Sequence, residues 1–269
     1  TYDSREGTTA PVLQIIYTLP PNTAPVLDSA KSPALTSLNE DSGAPSGSVG
    51  TLVSSLVDFA SPSGQVDNVT DPDSGALLGI AVTAADTTNG SWFYSTNSGT
   101  NWNALGAVAS NNARLLASDT NTRLYFQPNA NYNGTLASAV TFRAWDQTSG
   151  SNGTLADTST NGGITAFSTV TDTASLVINA VNDAPVLDNT GTMSLGTITE
   201  DGSVNAWVST VVATAGGDRI TDVDAGAVEG IAITSVNNGN GTWRYSTDGG
   251  SNWFNVGSVS NSSALLLRA

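Results

Sequence analysis

Two short stretches hold the residues whose type and spacing point most clearly to chemistry. Asp71-Pro72-Asp73-Ser74-Gly75 and Asp222-Val223-Asp224-Ala225-Gly226 each set two carboxylates two positions apart, with a glycine two residues further on. Alternate aspartates on a tight loop can aim both carboxylates at one hard cation, and the glycine admits the positive φ of such a loop. The same spacing also suits a plain surface turn, in which an Asp side chain accepts a nearby backbone N–H. Other site chemistries are closed. The chain has neither Cys nor His, so thiolate or imidazole metal sites, a cysteine nucleophile and a Ser-His-Asp triad are excluded.

The charge balance points the same way. Eight Lys and Arg face 23 Asp and Glu, a formal net charge of −15. Nucleic acid and anionic membrane surfaces repel such a chain, so no nucleic-acid partner and no direct membrane insertion are expected. No run is long and apolar enough to span a bilayer as a helix. Hard cations with oxygen ligands, Ca²⁺ above all, suit this composition; simple solubility is the alternative use of the charge. Hydrophobic residues make up 39%, and Gly, Ser, Thr, Asn and Asp fill the rest. That mixture favours strands and turns over helices, which predicts an all-β protein.

The elements that must position these carboxylates occur twice. Asn22–Ala30 (NTAPVLDSA) returns 160 residues later as Asn182–Thr190 (NDAPVLDNT), and Glu40-Asp41-Ser42 returns at the same offset as Glu200-Asp201-Gly202. Asp71–Thr83 returns 151 residues later as Asp222–Thr234, the second copy having a shorter loop. Asn89–Trp102 matches Asn240–Trp253, and Asn111–Ser118 matches Ser262–Ala269. Blocks matching in one order imply duplication. The expected frame is a full repeat over 24–183 and a truncated second repeat over 184–269. Residues 1–23 are read as the last strand of a preceding repeat plus linker, with Val12–Leu19 as that strand, so the chain reads as a window on a longer array. Within the full repeat, β-branched and aromatic runs between Gly, Asn, Asp and Ser clusters predict strands at Val49–Leu56, Leu78–Ala84, Gly90–Ser95, Trp102–Ala107, Arg114–Ala117, Arg123–Gln127, Val140–Ala144 and Ala174–Ala180. Either alternate set of Val140–Trp145 could face the core. About eight strands suit a two-sheet sandwich.

The junction Asn182-Asp183-Ala184-Pro185, the early Glu40-Asp41, the Asp71–Gly75 turn and Ala144-Trp145-Asp146 at a strand end resemble, in that order, the bacterial cadherin-like repeats of large secreted surface adhesins. The resemblance spans 24–183 fully and 184–269 in part. It implies tandem immunoglobulin/cadherin-like antiparallel sandwiches with Ca²⁺ between successive repeats. The ligands it implies are Glu40, Asp71, Asp73, Asp146, Asn182, Asp183, Asp222 and Asp224. It further implies an extracellular, cell-surface rod whose partners are adjacent repeats, and cell-surface glycans or other surface proteins. The pattern departs at Asn22-Thr23, where the linker carboxylate is missing, and no Asp-Arg-Glu segment is found.

Ser246–Trp253 fits SxDxGxxW, which resembles the Asp-box hairpin of sialidases; Ser95–Trp102 fits with Asn97 in the Asp position. This motif is a hairpin turn, in which the Asp or Asn side chain accepts turn N–H groups and the Trp packs beneath. Trp92, Trp102, Trp243 and Trp253 are therefore expected to pack core and hairpins; as exposed platforms they would instead make a carbohydrate-binding module. A glycosidase needs two carboxylates facing across a sugar, whereas the aspartates in recognisable motifs lie in turns, so no enzyme is expected. A third reading is a subunit of an extracellular filament or surface layer.

Overall fold

The computed structural model describes residues 13–16, 20–58, 68–190, 193–213 and 219–269. Two units divide it, Thr1–Asn179 and Ala180–Ala269. The strand expected at Val12–Leu19 lies mostly outside the described residues; Leu13, Ile15 and Ile16 are exposed and carry no regular structure.

Short elements open the first unit: β1 (Val26–Leu27), β2 (Leu38–Asn39), β3 (Thr51–Leu52), one helical turn α1 (Ser54–Val57) and β4 (Val69–Thr70). Longer strands follow as β5 (Gly79–Ala85) and β6 (Gly90–Ser95), then β7 (Asn103–Ala104), β8 (Ala113–Ala117) and β9 (Arg123–Pro128). The unit closes with β10 (Gly134–Trp145), β11 (Leu155–Ala156) and β12 (Asp172–Asn179). One sheet runs β11-β8-β5-β10-β12-β2 and a second runs β3-β9-β6-β7. Alternate side chains of both sheets meet in one cluster: Ile80, Val82 and Phe142 from the first, Trp92, Leu124 and Phe126 from the second. Two sheets enclosing a shared apolar layer are a sandwich-like arrangement. The all-β expectation holds. Among the described residues no helix is long and apolar enough to cross a membrane.

Two expected strands are shorter than read, Trp102–Ala107 being reduced to Asn103–Ala104, and the facing of Val140–Trp145, left open by the sequence, is settled. The strand expected over Val49–Leu56 is only two residues long before the chain turns into α1. Val53, Leu56 and Val57 are all buried, and their i, i+3, i+4 spacing is a helical stripe within a segment whose composition reads as strand. In Val140–Trp145 both faces are used. Val140, Phe142 and Ala144 enter the layer between the sheets, while Trp145 packs on the outer face with Leu115 and Phe167.

Two pairings set the ends of the repeat. β1 is antiparallel to β4, with Val26 opposite Thr70 and Leu27 opposite Val69. Leu27 and Val69 are buried whereas Val26 and Thr70 are exposed, so burial of one alternate set fixes this short register. The pairing holds linker residues Asn22 and Thr23 beside the loop that begins at Asp71. At the far end of the first sheet β2 lies parallel to β12, with Asn39 opposite Asn179. Glu40 is thereby held where β12 ends.

The second unit contains β13 (Val186–Leu187), a helical turn α2 (Val208–Val212), β14 (Ile220–Thr221), β15 (Gly230–Ile233), β16 (Arg244–Tyr245), β17 (Phe254–Asn255) and β18 (Leu265–Arg268). Its registers copy those of the first unit residue for residue. Val186 faces Thr221 as Val26 faces Thr70, Ile231 faces Leu267 as Ile80 faces Leu116, and Tyr245 faces Phe254 as Tyr94 faces Asn103.

Phe142 is fully buried between the sheets. Phe142→Ala is expected to cost about 3–5 kcal/mol in urea unfolding. A loss below about 1 kcal/mol would contradict the packing described.

Candidate functional site

The acidic residues singled out by sequence fall into two groups in the first unit, at opposite ends of β10. At one end the linker closes on the Asp loop. The Thr23 N–H donates to Asp73 Oδ2 at 2.7 Å, and the Asp73 N–H donates to Asp71 Oδ1 at 2.8 Å. Asn22 Nδ2 donates to Asp146 Oδ2 at 2.8 Å and to the Thr165 carbonyl at 3.1 Å. Asp146 is buried, and its other oxygen accepts the Thr148 N–H at 2.8 Å. Asp71, Asp73 and Asp146 are thus neighbours, drawn together by the β1–β4 pairing and by the end of β10.

Burial, and to a lesser degree their mutual repulsion, acts on Asp71. Burial first, then the charges of Asp146 and Asp73, push its carboxyl above the ordinary value, against the lowering effect of the Asp73 N–H. Its Oδ2 is buried and has no hydrogen-bond partner. A buried acceptor without a donor costs free energy that a cation would offset. The oxygens present are all hard donors and so fit a divalent cation by type. Among the described residues, however, no three acidic side chains form a group that could hold an ion by themselves. Neutral oxygens would have to complete the shell, and the donors from Asn22 and Thr23 now occupy part of the carboxylate capacity.

Glu40 lies at the other end. It is buried, its N–H donates to the Asn179 carbonyl at 2.9 Å, and its Oε2 accepts Asn133 Nδ2 at 2.8 Å. Asn133 precedes β10 and Asp146 follows it, so at about 3.3 Å per residue the two ends stand roughly 40 Å apart. Glu40 therefore does not join Asp71, Asp73 and Asp146 within the unit. Asp41 beside it has φ of 58° and accepts the Asn131 N–H at 2.8 Å; Asp201, its counterpart, has φ of 59°. Non-glycine residues with positive φ are uncommon, and Asp tolerates the conformation better than most. Composition offered no signal for this duplicated backbone feature, nor for Asn133.

The second unit repeats the linker contact. The Asp183 N–H donates to Asp224 Oδ2 at 2.8 Å, and the Asp224 N–H donates to Asp222 Oδ1 at 2.9 Å. Asn182 Nδ2 turns back to the Asp183 carbonyl at 2.6 Å. Asp183, Asp222 and Asp224 are thus brought together.

Of the tryptophans, Trp92 is buried, 4.9 Å from the Phe126 ring, and its Nε1 donates to the Asp86 carbonyl at 2.7 Å. Trp102 meets Tyr125 edge-on at 5.8 Å and donates to the Gly47 carbonyl at 3.2 Å. Trp243 and Trp253 are each 43% exposed. Both hairpin turns follow the expected pattern. Asn97 Oδ1 accepts the Asn101 N–H at 2.9 Å, as Asp248 Oδ1 accepts that of Asn252 at 2.9 Å. Gly99 has φ of +81°, and a Cβ there would lie 1.7 Å from the Gly47 carbonyl oxygen, so only glycine fits.

Comparison of the chain with protein-family models, with curated proteins and with solved structures finds no match.

The two turns differ in one titratable group. Hydrogen bonds from the Asn252 backbone and side chain, then from Ser246, hold Asp248 down at about 2, from an ordinary 3.8. Because the folded value is the lower one, this turn's contribution to stability is full above the unfolded value. It is lost as pH falls from about 4 through about 2. Between pH 5 and 2 the Gly250 and Asn252 amide NMR shifts are expected to titrate with a midpoint near 2, with Gly99 and Asn101 unmoved beside the neutral Asn97. Equal movement in both turns would refute this assignment.

Proposed function

We propose that the chain holds one cadherin-like β-sandwich repeat and the first part of a second, from a large extracellular adhesive or structural protein in which Ca²⁺ at the repeat ends stiffens the linker. One observation carries the reading. In both copies the linker backbone is bound by the second Asp of the Asp-x-Asp-x-Gly loop, Thr23 to Asp73 and Asp183 to Asp224. A motif that was only a solvated turn would have no reason to hold the linker twice in the same way.

Asp71, Asp73 and Asp146 in the first repeat, and Asp183, Asp222 and Asp224 in the second, are the residues that would hold the ion. Glu40 and Asn182 complete the proposed set of calcium ligands. When bound, Ca²⁺ supplies charge neutralisation. The protein's part is to bring carboxylates that repel one another to the point where the chain enters the sandwich. Bending of the linker would then separate ligands from their ion, which is the proposed source of stiffness. The high acidic content and the absence of Cys suit a secreted protein stabilised by metal instead of disulfides. The carbohydrate-binding alternative draws no support from the first repeat, whose Trp92 is buried beneath Phe126.

Thermal unfolding tests the proposal in chelator and in ~10 mM Ca²⁺. With affinity on the order of 10⁻³ M, typical of extracellular modules, one site adds about 1.4 kcal/mol. That corresponds to a rise of roughly 3–6 °C. Asp71→Asn is expected to abolish the first repeat's share of that rise. In chelator the same variant should be more stable than the parent at neutral pH. The raised Asp71 value means that stability is fullest below pH 3.8 and falls as pH rises through the folded value. Identical melting in chelator and Ca²⁺ would overturn the proposal.

A further inference from the structure

The linker that enters the first unit is gripped by more than the Asp loop. The Ala24 N–H donates to the Gly163 carbonyl at 2.9 Å. Asn22 Nδ2 lies 3.4 Å from the Ile164 carbonyl, 3.1 Å from that of Thr165 and 2.8 Å from Asp146 Oδ2. Three successive carbonyls thus face the linker. Two glycines bend the segment to do so, Gly162 and Gly163, with φ of 72° and 61°. A Cβ on Gly162 would collide with the Thr169 side chain, so this backbone suits glycine there. The Asp146 N–H donates to the Ala166 carbonyl at 3.1 Å, and Trp145 bridges to Phe167. These contacts tie the carbonyl segment to the end of β10.

Three oxygens therefore converge on one nitrogen that has only two protons to give. One is a carboxylate oxygen and two are carbonyl oxygens, a donor set that a hard cation also takes. Here a neutral side-chain amide fills it. The other oxygen of Asp146 is engaged as well, accepting the Thr148 N–H at 2.8 Å and the Thr148 hydroxyl at 2.5 Å. For Oδ2 to turn toward an ion, the Asn22 amide must leave it, because an amide proton and a cation repel each other at one oxygen.

We propose that Asn22 is a latch: its amide holds the linker to the end of the first sandwich in place of an ion, and competes with Ca²⁺ for Asp146. The competition rests on the calcium reading, whereas the latch rests on the hydrogen bonds alone. The residue types fit this role. The latch needs a neutral side-chain donor at position 22 and only a backbone N–H at 23, and Asn22-Thr23 supplies both without a carboxylate. Asn22 acts as a positioning residue: it orders the linker and tunes the ion's access to Asp146.

Amide exchange and Ca²⁺ titration by NMR test this in the 269-residue chain and its Asn22→Ala and Asn22→Asp variants. In chelator, both variants are expected to exchange the Thr23 and Ala24 amides about tenfold faster, as befits loss of a hydrogen bond to a charged acceptor, with β5 and β6 unchanged. In Asn22→Ala, Ca²⁺ is expected to move the Asp71 and Asp73 amides at about tenfold lower concentration than in the parent, since no amide competes. A merely structural role would not tighten the site while loosening the linker. In Asn22→Asp, Ca²⁺ should restore slow exchange. Unchanged exchange in chelator would overturn the latch. Equal or weaker Ca²⁺ affinity in Asn22→Ala would overturn the competition. Ca²⁺ that moves no amide in any of the three proteins would sink the calcium reading and the competition with it, while exchange in chelator still decides the latch.

Discussion

A single backbone hydrogen bond organises the rest: the amide of the residue before Ala-Pro donates to the second carboxylate of the Asp-x-Asp-x-Gly loop. It recurs in both copies, from Thr23 at 2.7 Å and from Asp183 at 2.8 Å. The contact uses the one part of the linker that does not depend on side chain. Thr23 therefore makes it as well as Asp183, although only the latter carries a charge. Behind it stand the antiparallel pairs Val26–Thr70 and Val186–Thr221, which set the linker beside the loop. Charge then raises the stakes. Asp71 sits near Asp73 and Asp146 with one buried oxygen unmatched, so the first repeat's end holds electrostatic stress that a cation would relieve.

The duplication also separates what a segment specifies locally from what its neighbours supply. β15–β18 and β16–β17 keep the registers of β5–β8 and β6–β7, although among the described residues each is a two-stranded pair. Turn chemistry explains part of this. The Ser-x-Asp/Asn-x-Gly turn satisfies its own N–H groups, with Gly99 and Gly250 both at positive φ, and so fixes hairpin register by itself. Burial does not survive in the same way. Trp92 and Trp243 have the same place in the repeat and the same Nε1 contact to a backbone carbonyl, yet only the first is covered.

Much of this was legible before any fold was known. Alternation and turn residues located β5, β6, β8 and β9 to within a residue or so, because each is bounded by Gly, Asn, Asp or Ser; β9 alternates in burial, whereas β5 and β8 are buried on both faces. The cadherin-like resemblance named Asp71, Asp73 and Asp146 among the ligands it implies, and the structure sets these three beside linker residues Asn22 and Thr23. The helical turn at Ser54–Val57 was hidden, since its Val-rich composition speaks for strand while its spacing speaks for helix. Also hidden was the partner of Glu40. Asn133 lies 93 residues away, and only the β2–β12 and β10–β12 pairings bring it near. Local pattern predicts elements; long-range register decides which polar groups meet.

Anomalous diffraction from crystals grown with Ca²⁺ tests the central claim most directly. A cation peak within bonding distance of Asp71 and Asp73, and another beside Asp222 and Asp224, is the result this account predicts. Density free of any cation there, with the Thr23 and Asp183 amides still bound to Asp73 and Asp224 at saturating Ca²⁺, would contradict it.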